Sequence, residues 1–339
     1  MLILLYNISR LMPNEIDQNK FVSSNSDIWI ENMERKYREA NKRIQKVCQR
    51  YRKRYGETFD EYNKTHQFMT PVKNGFYTNI MFDENHKLAY CRHAKVGSST
   101  WINYFLKLSP HIAEESLKIK DLLKMNKLMN MTSTKFQLPF KSITQRILNN
   151  TNHSFPISLN EFMNMQNIMS FSFVRHPFQR LVSAYIDKVL NWRGEYMKYI
   201  GYKDWFENDH SFPSFVENVV LHEYKKDSCY QSYNKPCLNI DKHWMPFNSR
   251  CFYCDISYNV IGKLETFRDD VNYISLKQNL TNLIPLLPDH PSSGTKMHTS
   301  VNKTKQYFAQ LNKIQIQQLC EMFQIDFELF GYASQSYLI

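Results

Sequence analysis

The stretch LAYCRHAKVGSSTWINYFLKL, residues 88–108, decides the fold predicted for this chain. Its first four residues predict a short buried strand, and the apolar spacing of three and four from Trp101 to Leu108 predicts a helix. The turn between them is rich in hydroxyl groups and contains a glycine and Lys95. Because the first N–H groups of a helix have no partners within it, residues 94–100 are a predicted anion site. A basic turn that binds nothing fits the same residues, and the Walker A spacing is absent.

A second strand–turn–helix unit lies at residues 168–189. Residues 169–174 predict a strand, residues 175–177 end it, and a helix follows with proline in its first turn. Arg175 stands at the strand end, and Ser183 lies about two helical turns further on. An arginine fork suits a phosphate group, and a serine hydroxyl can share the same oxygens. The two units together predict a ligand with phosphate-like groups at both ends.

Both units resemble the donor-binding motifs of the Golgi carbohydrate sulfotransferases, in particular the group of chondroitin and dermatan 4-O-sulfotransferases and the HNK-1 sulfotransferase. AKVGSSTW is similar to the 5′-phosphosulfate loop of these enzymes, and RHPFQRLVSAY is similar to their 3′-phosphate motif. Further similarity occurs in HWMPFNSRCFYC, YNVIGKLET and DFELFGY, so the resemblance extends from Leu88 to Tyr332. It implies an α/β, P-loop-like sulfotransferase fold with a central, mainly parallel sheet flanked by helices.

The resemblance also implies a donor substrate, 3′-phosphoadenosine 5′-phosphosulfate (PAPS). The residues that match its two binding motifs are Ala94, Lys95, Val96, Gly97, Ser98, Ser99 and Thr100 in the first, and Arg175, His176, Pro177, Phe178, Gln179, Arg180, Leu181, Val182 and Ser183 in the second. Sulfuryl transfer is an in-line displacement that builds negative charge on the leaving bridge oxygen, so nearby cations stabilise it. We assign Lys95 to that oxygen. Enzymes of this family need no metal, and no motif of this chain requires one.

The acceptor hydroxyl requires a general base, and histidine is the side chain best matched to neutral pH. His243 is our first candidate because HWMP belongs to a family-like stretch away from both donor motifs. The competing interpretation is a structural histidine beside the cysteine-rich segment. His176 is expected to orient the Arg175 turn instead. The other open candidates for the base are His111, His153 and Glu265.

The formal charge of +11 favours an anionic partner but does not select one, since acidic polysaccharide, nucleic acid and anionic membranes all attract a basic protein. No nucleic-acid-binding module is visible, so we expect no nucleic-acid partner, and the resemblance implies a glycan acceptor. The resemblance implies a glycosaminoglycan, with sulfation at position 4 of N-acetylgalactosamine in chondroitin-type chains. N-glycan termini, glucuronic-acid-capped termini and a non-catalytic glycan-binding protein are the alternatives. A kinase-like enzyme is disfavoured because its motifs are missing.

Two features indicate a secretory compartment. Glycosylation acceptors of the form Asn-X-Ser/Thr occur at Asn7, Asn63, Asn130, Asn149, Asn152, Asn279 and Asn302. Four of the seven cysteines form a local group, namely Cys229, Cys237, Cys251 and Cys254. In an oxidising compartment we expect these four to pair with one another, with three possible connectivities. The rival interpretation is a four-thiolate zinc site, because the last two have ligand-like spacing.

The predicted organisation is an N-terminal segment, residues 1–75, followed by a catalytic domain, residues 76–339. Within the first part, residues 27–55 show an imperfect helical stripe that predicts a stem-like basic helix. The resemblance implies a type II protein of the Golgi membrane with its catalytic domain in the lumen. The anchor for such a protein is not evident, since the apolar residues 1–6 are too few to span a bilayer.

Overall fold

The computed structural model of the protein describes residues 15–55, 80–83, 85–108, 167–227, 229, 237, 239–254, 256–288 and 301–337. Two of the candidate bases, His111 and His153, lie outside these residues. The same is true of five glycosylation acceptors, Asn7, Asn63, Asn130, Asn149 and Asn152. The other two acceptors, Asn279 and Asn302, are exposed.

A four-stranded sheet forms the centre of the fold, in the order β1-β2-β3-β4. The strands are β1 Ile80–Asp83, β2 Leu88–Cys91, β3 Met169–Val174 and β4 Val260–Lys263. β1 is antiparallel to β2, whereas β2, β3 and β4 are parallel. Every residue of β2 and β3 is buried, as expected for parallel strands covered on both faces. The mainly parallel sheet of an α/β fold is therefore present.

Helices account for most of the remaining described residues. The α-helices are α1 Glu15–Tyr55, α2 Ser98–Leu108, α3 Pro177–Tyr185, α4 Glu195–Tyr199, α5 Lys203–Asn208, α6 Phe212–Phe215, α7 His222–Lys226, α8 Asn248–Cys251, α9 Phe267–Lys277, α10 Val301–Phe308, α11 Lys313–Met322 and α12 Gln324–Phe330. Two π-helical turns, Ile186–Asn191 and Val216–Leu221, continue α3 and α6 without a break. Short 3₁₀ turns occur at Leu264–Thr266 and Ser334–Tyr337. Among the described residues, no helix combines the length and apolarity that a membrane crossing requires.

The sheet places the two predicted anion-binding turns side by side. β2 and β3 are neighbours in parallel register, with Cys91 opposite Ser172. Both strands therefore end at the same edge of the sheet, where ligands of open α/β sheets bind. The turn after β2 leads into α2, and the turn after β3 leads into α3.

Helix α1 packs directly on the body of the protein. Its buried side chains, among them Tyr37, Ile44 and Val47, belong to the same hydrophobic core as the sheet. The buried carboxylate of Asp270 accepts hydrogen bonds from Lys36 Nζ at 2.5 Å and from Tyr37 Oη at 2.8 Å. These contacts join α1 to the start of α9.

Three disulfides pair six of the seven cysteines, all of which lie in the described part of the chain. The pairs are Cys48–Cys254, Cys91–Cys251 and Cys229–Cys237, and Cys320 is free. The expectation that the local group pairs within itself is right for Cys229 and Cys237 and wrong for Cys251 and Cys254. The fold brings α1 and β2 next to residues 251–254, which spacing in the chain does not reveal. The disulfides also exclude the four-thiolate zinc site.

Candidate active site

The turn after β2 has the backbone of an anion-binding loop. Lys95 and Gly97 adopt left-handed conformations, with φ of 70° and 80°. Such residues, alternating with ordinary ones, form the concave backbone nests that bind anions. Gly97 is also needed sterically, because an added Cβ would lie 2.7 Å from the Phe267 ring. The carbonyl of Gly97 accepts from Thr100 N at 3.0 Å, which starts the first turn of α2.

Lys95 points from this turn toward residues that follow the other strand. Its Nζ lies 3.1 Å from Oδ2 of Asp187, and its side chain is 21% exposed. Burial lowers the pKa of Lys95, and the charges of Lys188 and Arg175 lower it further, while Asp187 opposes them. Charges from both units therefore act at the same place, as a shared ligand requires.

The turn after β3 is held by a network around Arg175 and His176. Burial lowers the pKa of Arg175 to about 10, against the opposing influence of Glu265. His176 caps α3, since its Nδ1 accepts from Phe178 N at 3.2 Å and its Nε2 donates to the Ala333 carbonyl at 3.1 Å. Glu265 accepts from the backbone N–H of His176 at 3.0 Å and from the hydroxyl of Tyr332 at 2.9 Å. Glu265, a candidate base in the sequence, thus lies at the Arg175 turn, bonded to its backbone.

The other residues of the second motif lie along the first two turns of α3. Phe178, Leu181 and Val182 are buried in a hydrophobic cluster, so their side chains position the helix. Gln179 donates to Tyr337 Oη at 2.8 Å. Ser183 is partly exposed, as a hydroxyl that reaches a ligand must be.

Arg180 connects the turn after β2 with the segment that contains His243. Its buried guanidinium donates to three carbonyls, those of Ala94 at 3.1 Å, Met245 at 2.6 Å and Lys242 at 2.9 Å. The motif alone places Arg180 among the nucleotide-binding residues. The observed contacts instead fix the distance between the two loops.

His243 forms a hydrogen-bonded triad with Asp241 and Tyr196. Its Nδ1 lies 2.7 Å from Asp241 Oδ1, and Tyr196 donates to Asp241 Oδ2 at 2.5 Å. Because an ionised carboxylate only accepts, the Nδ1 of His243 carries the proton and Nε2 keeps its lone pair. Burial lowers the pKa of His243 to about 4, together with the charges of Lys188 and Lys242, while Asp241 opposes them. A neutral, oriented imidazole is the form that accepts a proton near neutral pH.

Glu223 forms hydrogen bonds to the residues on either side of His243. Its Oε2 accepts from Asp241 N at 3.0 Å and from Trp244 Nε1 at 2.7 Å. Burial raises the pKa of Glu223 to about 7. The carboxylate therefore binds the backbone N–H of Asp241 on one side of His243 and the indole of Trp244 on the other.

Sequence reasoning missed four residues that complete the site. They are Asp187, Lys188, Tyr196 and Asp241, and they lie in or near the π-helical turn and beside His243. Asp241 lies two residues before its histidine, which is the only local signal for this partner. No sequence pattern predicts the π-helical turn or the contact of Tyr196 with His243.

Comparison with known proteins identifies the family of this chain. A profile described as the sulfotransferase family matches residues 78–333. Carbohydrate sulfotransferase 10 of Xenopus laevis is 26% identical over 292 residues, covering 79% of this chain and 71% of the relative. Carbohydrate sulfotransferase 11 of Danio rerio is 26% identical over 272 residues, covering 77% and 68%.

Carbohydrate sulfotransferase 12 of Mus musculus is more distant, at 23% identity over 276 residues, covering 79% of this chain and 63% of the relative. No solved structure is a significant match. The family profile spans the sheet, both predicted anion-binding turns and the His243 triad. The chain therefore belongs to the sulfotransferase family, in the neighbourhood of carbohydrate sulfotransferases 10, 11 and 12.

Proposed function

We propose that this protein is a PAPS-dependent carbohydrate O-sulfotransferase, and that it sulfates position 4 of N-acetylgalactosamine in chondroitin-type glycosaminoglycans. The names of its relatives support a glycan acceptor. The observation that carries the proposal is the adjacency of the two anion-binding turns, with Arg175 and Lys95 close enough for the charge of one to lower the pKa of the other.

The residues at the sheet edge fit a doubly anionic nucleotide donor. Burial and like charges disfavour the protonated form of Lys95, and bound anionic groups would reverse this effect. In the proposal, Arg175 and Ser183 hold the 3′-phosphate, and residues 94–100 form a P-loop-like turn around the phosphosulfate. The donor, when bound, supplies the sulfuryl group.

The proposed reaction assigns a role to each side of the site. His243 Nε2 accepts the proton of the acceptor hydroxyl while its Nδ1–H stays bonded to Asp241. The bond between sulfur and the bridge oxygen breaks, its electron pair remains on that oxygen, and a new bond forms to the acceptor oxygen. Lys95 stabilises the charge on the bridge oxygen, as preorganised cations do in related transfers.

An aromatic row beside His243 supports a sugar acceptor. Trp192, Tyr196 and Tyr199 follow one another with ring centroids 6.2 Å apart, and Tyr196 packs edge-on against His243 at 5.1 Å. Tyr199 is 44% exposed, although it is large and partly apolar. Aromatic faces bind the apolar face of sugar rings, so this row can orient an acceptor hydroxyl toward the base.

We also propose a Golgi location, on the lumenal side, for a type II membrane protein. Six cysteines in disulfides support an oxidising compartment. The exposed acceptors Asn279 and Asn302 support glycosylation.

Incubation with ³⁵S-labelled PAPS and a panel of unsulfated glycans tests the proposed function. The panel contains desulfated chondroitin, N-glycans and glucuronic-acid-capped glycans. We expect label in chondroitin, and disaccharide analysis should place it at position 4 of N-acetylgalactosamine. Label in either of the other glycans would show that the acceptor is not chondroitin. Glycan binding without transfer would contradict an enzymatic function. Parallel incubation with labelled ATP tests for phosphate transfer, which the proposal excludes.

A further inference from the structure

Two lysines share one carboxylate oxygen at the edge of the candidate site. Asp187 Oδ2 lies 3.1 Å from Lys95 Nζ and 3.3 Å from Lys188 Nζ. Burial raises the pKa of Asp187, but the two lysines outweigh burial and hold this pKa below its usual value. The three side chains together carry one surplus positive charge.

The backbone that carries Asp187 and Lys188 is a π-helical turn, residues 186–191. Neighbouring residues of an α-helix do not face the same way, yet here both side chains reach the same place. Short π-helical turns inside α-helices are frequent at functional sites, because they change the direction of side chains. This turn directly follows α3, the helix of the 3′-phosphate motif.

Lys188 lies between the Lys95 turn and His243, the proposed base. On one side it shares the Asp187 oxygen with Lys95. On the other side its Nζ lies 5.0 Å from the ring centre of Tyr196, whose hydroxyl is 3.1 Å from His243 Nδ1. A second ring, that of Trp192, lies 4.5 Å from the same ammonium. The ammonium of Lys188 thus lies on the path from Lys95 to His243.

We propose that Lys188 is a further catalytic residue, a second cation that binds the non-bridging oxygens of the sulfuryl group during transfer. This inference rests on the proposed function. The side chain of Lys188 is only 13% exposed, so its charge is largely removed from water. Its anionic neighbour Asp187 is already bonded to Lys95. A sulfuryl group supplies the negative oxygens that balance the surplus charge.

The role is electrostatic, and no proton leaves Lys188. The sulfur–oxygen bond to the donor breaks with its electron pair on the bridge oxygen, at Lys95. The bond to the acceptor oxygen forms as the hydroxyl proton moves to His243 Nε2. Lys188 stays protonated and stabilises the negative oxygens of the planar sulfuryl group between these two events, as cations do in phosphoryl transfer.

The substitution Lys188→Met tests this role because it removes the charge and keeps most of the side-chain volume. We expect kcat to fall on the order of 10²-fold, the loss typical of one missing charge-stabilising donor. The affinity for 3′,5′-bisphosphoadenosine, which has no sulfuryl group, should not change in calorimetry, whereas the affinity for PAPS should fall. Lys188→Arg should recover part of kcat. Lys198→Met is the matched control, since Lys198 is exposed and pairs with Glu195, and it should leave kcat unchanged.

NMR titration of His243 provides a readout that does not depend on turnover. Lys188 is one of the charges that lower the pKa of His243, so this pKa should rise in Lys188→Met and stay the same in Lys198→Met. Equal kcat in wild type and Lys188→Met would overturn the role of Lys188 alone. Equal losses of affinity for PAPS and 3′,5′-bisphosphoadenosine would also overturn it, because Lys188 would then bind the nucleotide. A wild-type protein that transfers no sulfate would overturn the proposed function itself.

Discussion

At the scale of single residues, the proposed site contains two kinds of group. Some contact the ligand, and others hold the contacting groups in position. In the proposed function, Lys95, Lys188 and His243 are the groups that contact the donor or the acceptor. Asp241 and Arg180 are engaged entirely with the protein, as a carboxylate on an imidazole and a guanidinium on three carbonyls. The cost of burying Arg180 is offset because each of its three nitrogens donates to a carbonyl.

The substitution Lys95→Ala should strongly reduce the rate of sulfate transfer from PAPS, because it removes the cation assigned to the leaving bridge oxygen. Loss of one such contact costs on the order of 10²-fold to 10³-fold in kcat. Glycan binding, measured by retention on immobilised chondroitin, should survive. Unchanged turnover of labelled PAPS in this variant would remove Lys95 from the mechanism.

The rate of transfer should depend on pH through His243, whose pKa burial lowers to about 4. The neutral imidazole is the active form, so kcat/KM should stay level on its acid side down to about pH 5 and fall below it. An acid limb near the usual histidine pKa of about 6.5 would contradict this assignment.

Asp241→Asn should reduce kcat on the order of 10²-fold or more, because the amide no longer fixes the proton on Nδ1. It also removes an anion that raises the pKa of His243, so any remaining acid limb should move to lower pH. Asp204→Asn is the control, since Asp204 is exposed on α5. A kcat for Asp241→Asn equal to that of the control would show that His243 is structural.

At the scale of elements, sequence patterns identify β2, β3 and the start of α3 better than they identify the tertiary contacts of these elements. The continuous apolar runs of β2 and β3 are observed with the predicted bounds, because both strands are buried on two faces. The helix predicted for residues 178–189 is α-helical only to Tyr185 and then becomes π-helical. Insertion of one residue into a helical turn leaves no periodic signal, so the position of Lys188 is not predictable from the chain.

The pairing of the cysteines also could not be predicted from their spacing in the chain. Cys254 pairs with Cys48 across 206 residues, although Cys251 is its nearest cysteine in the chain. The pairing depends on α1 lying against the core, which amphipathic spacing alone does not orient. The contact between Tyr196 and His243 was likewise not predictable, since the two residues are 47 positions apart in the chain.

The disulfide Cys48–Cys254 should stabilise the attachment of α1 to the body of the protein. Its replacement by Cys48→Ser with Cys254→Ser should reduce the free energy of unfolding by about 2–4 kcal/mol, measured by denaturant titration. Cys320→Ser is the matched control, because Cys320 is free and should leave stability within about 0.5 kcal/mol. Equal midpoints for the double variant and the control would mean that packing of α1 alone holds it in place.

At the scale of the whole molecule, three separate parts of the chain form one site. β2 provides the Lys95 turn, β3 provides the Arg175 turn, and the segment around His243 is tied to the first of these by Arg180. The disulfide Cys48–Cys254 and the buried Asp270 fix α1 against the same core. The charges of both turns lie close together at this edge of the sheet.

The central claim is that one nucleotide bridges these turns, with its 3′-phosphate at Arg175 and its 5′ end at Lys95. Calorimetry with 3′,5′-bisphosphoadenosine and 5′-adenosine monophosphate tests it directly. Wild type and Lys95→Ala should both bind the bisphosphate on the order of tenfold or more tightly than the monophosphate, since hydrogen bonds to a charged group contribute about 1.5–3 kcal/mol. Arg175→Ala should bind the two nucleotides equally. A full preference for the bisphosphate in Arg175→Ala would contradict the account.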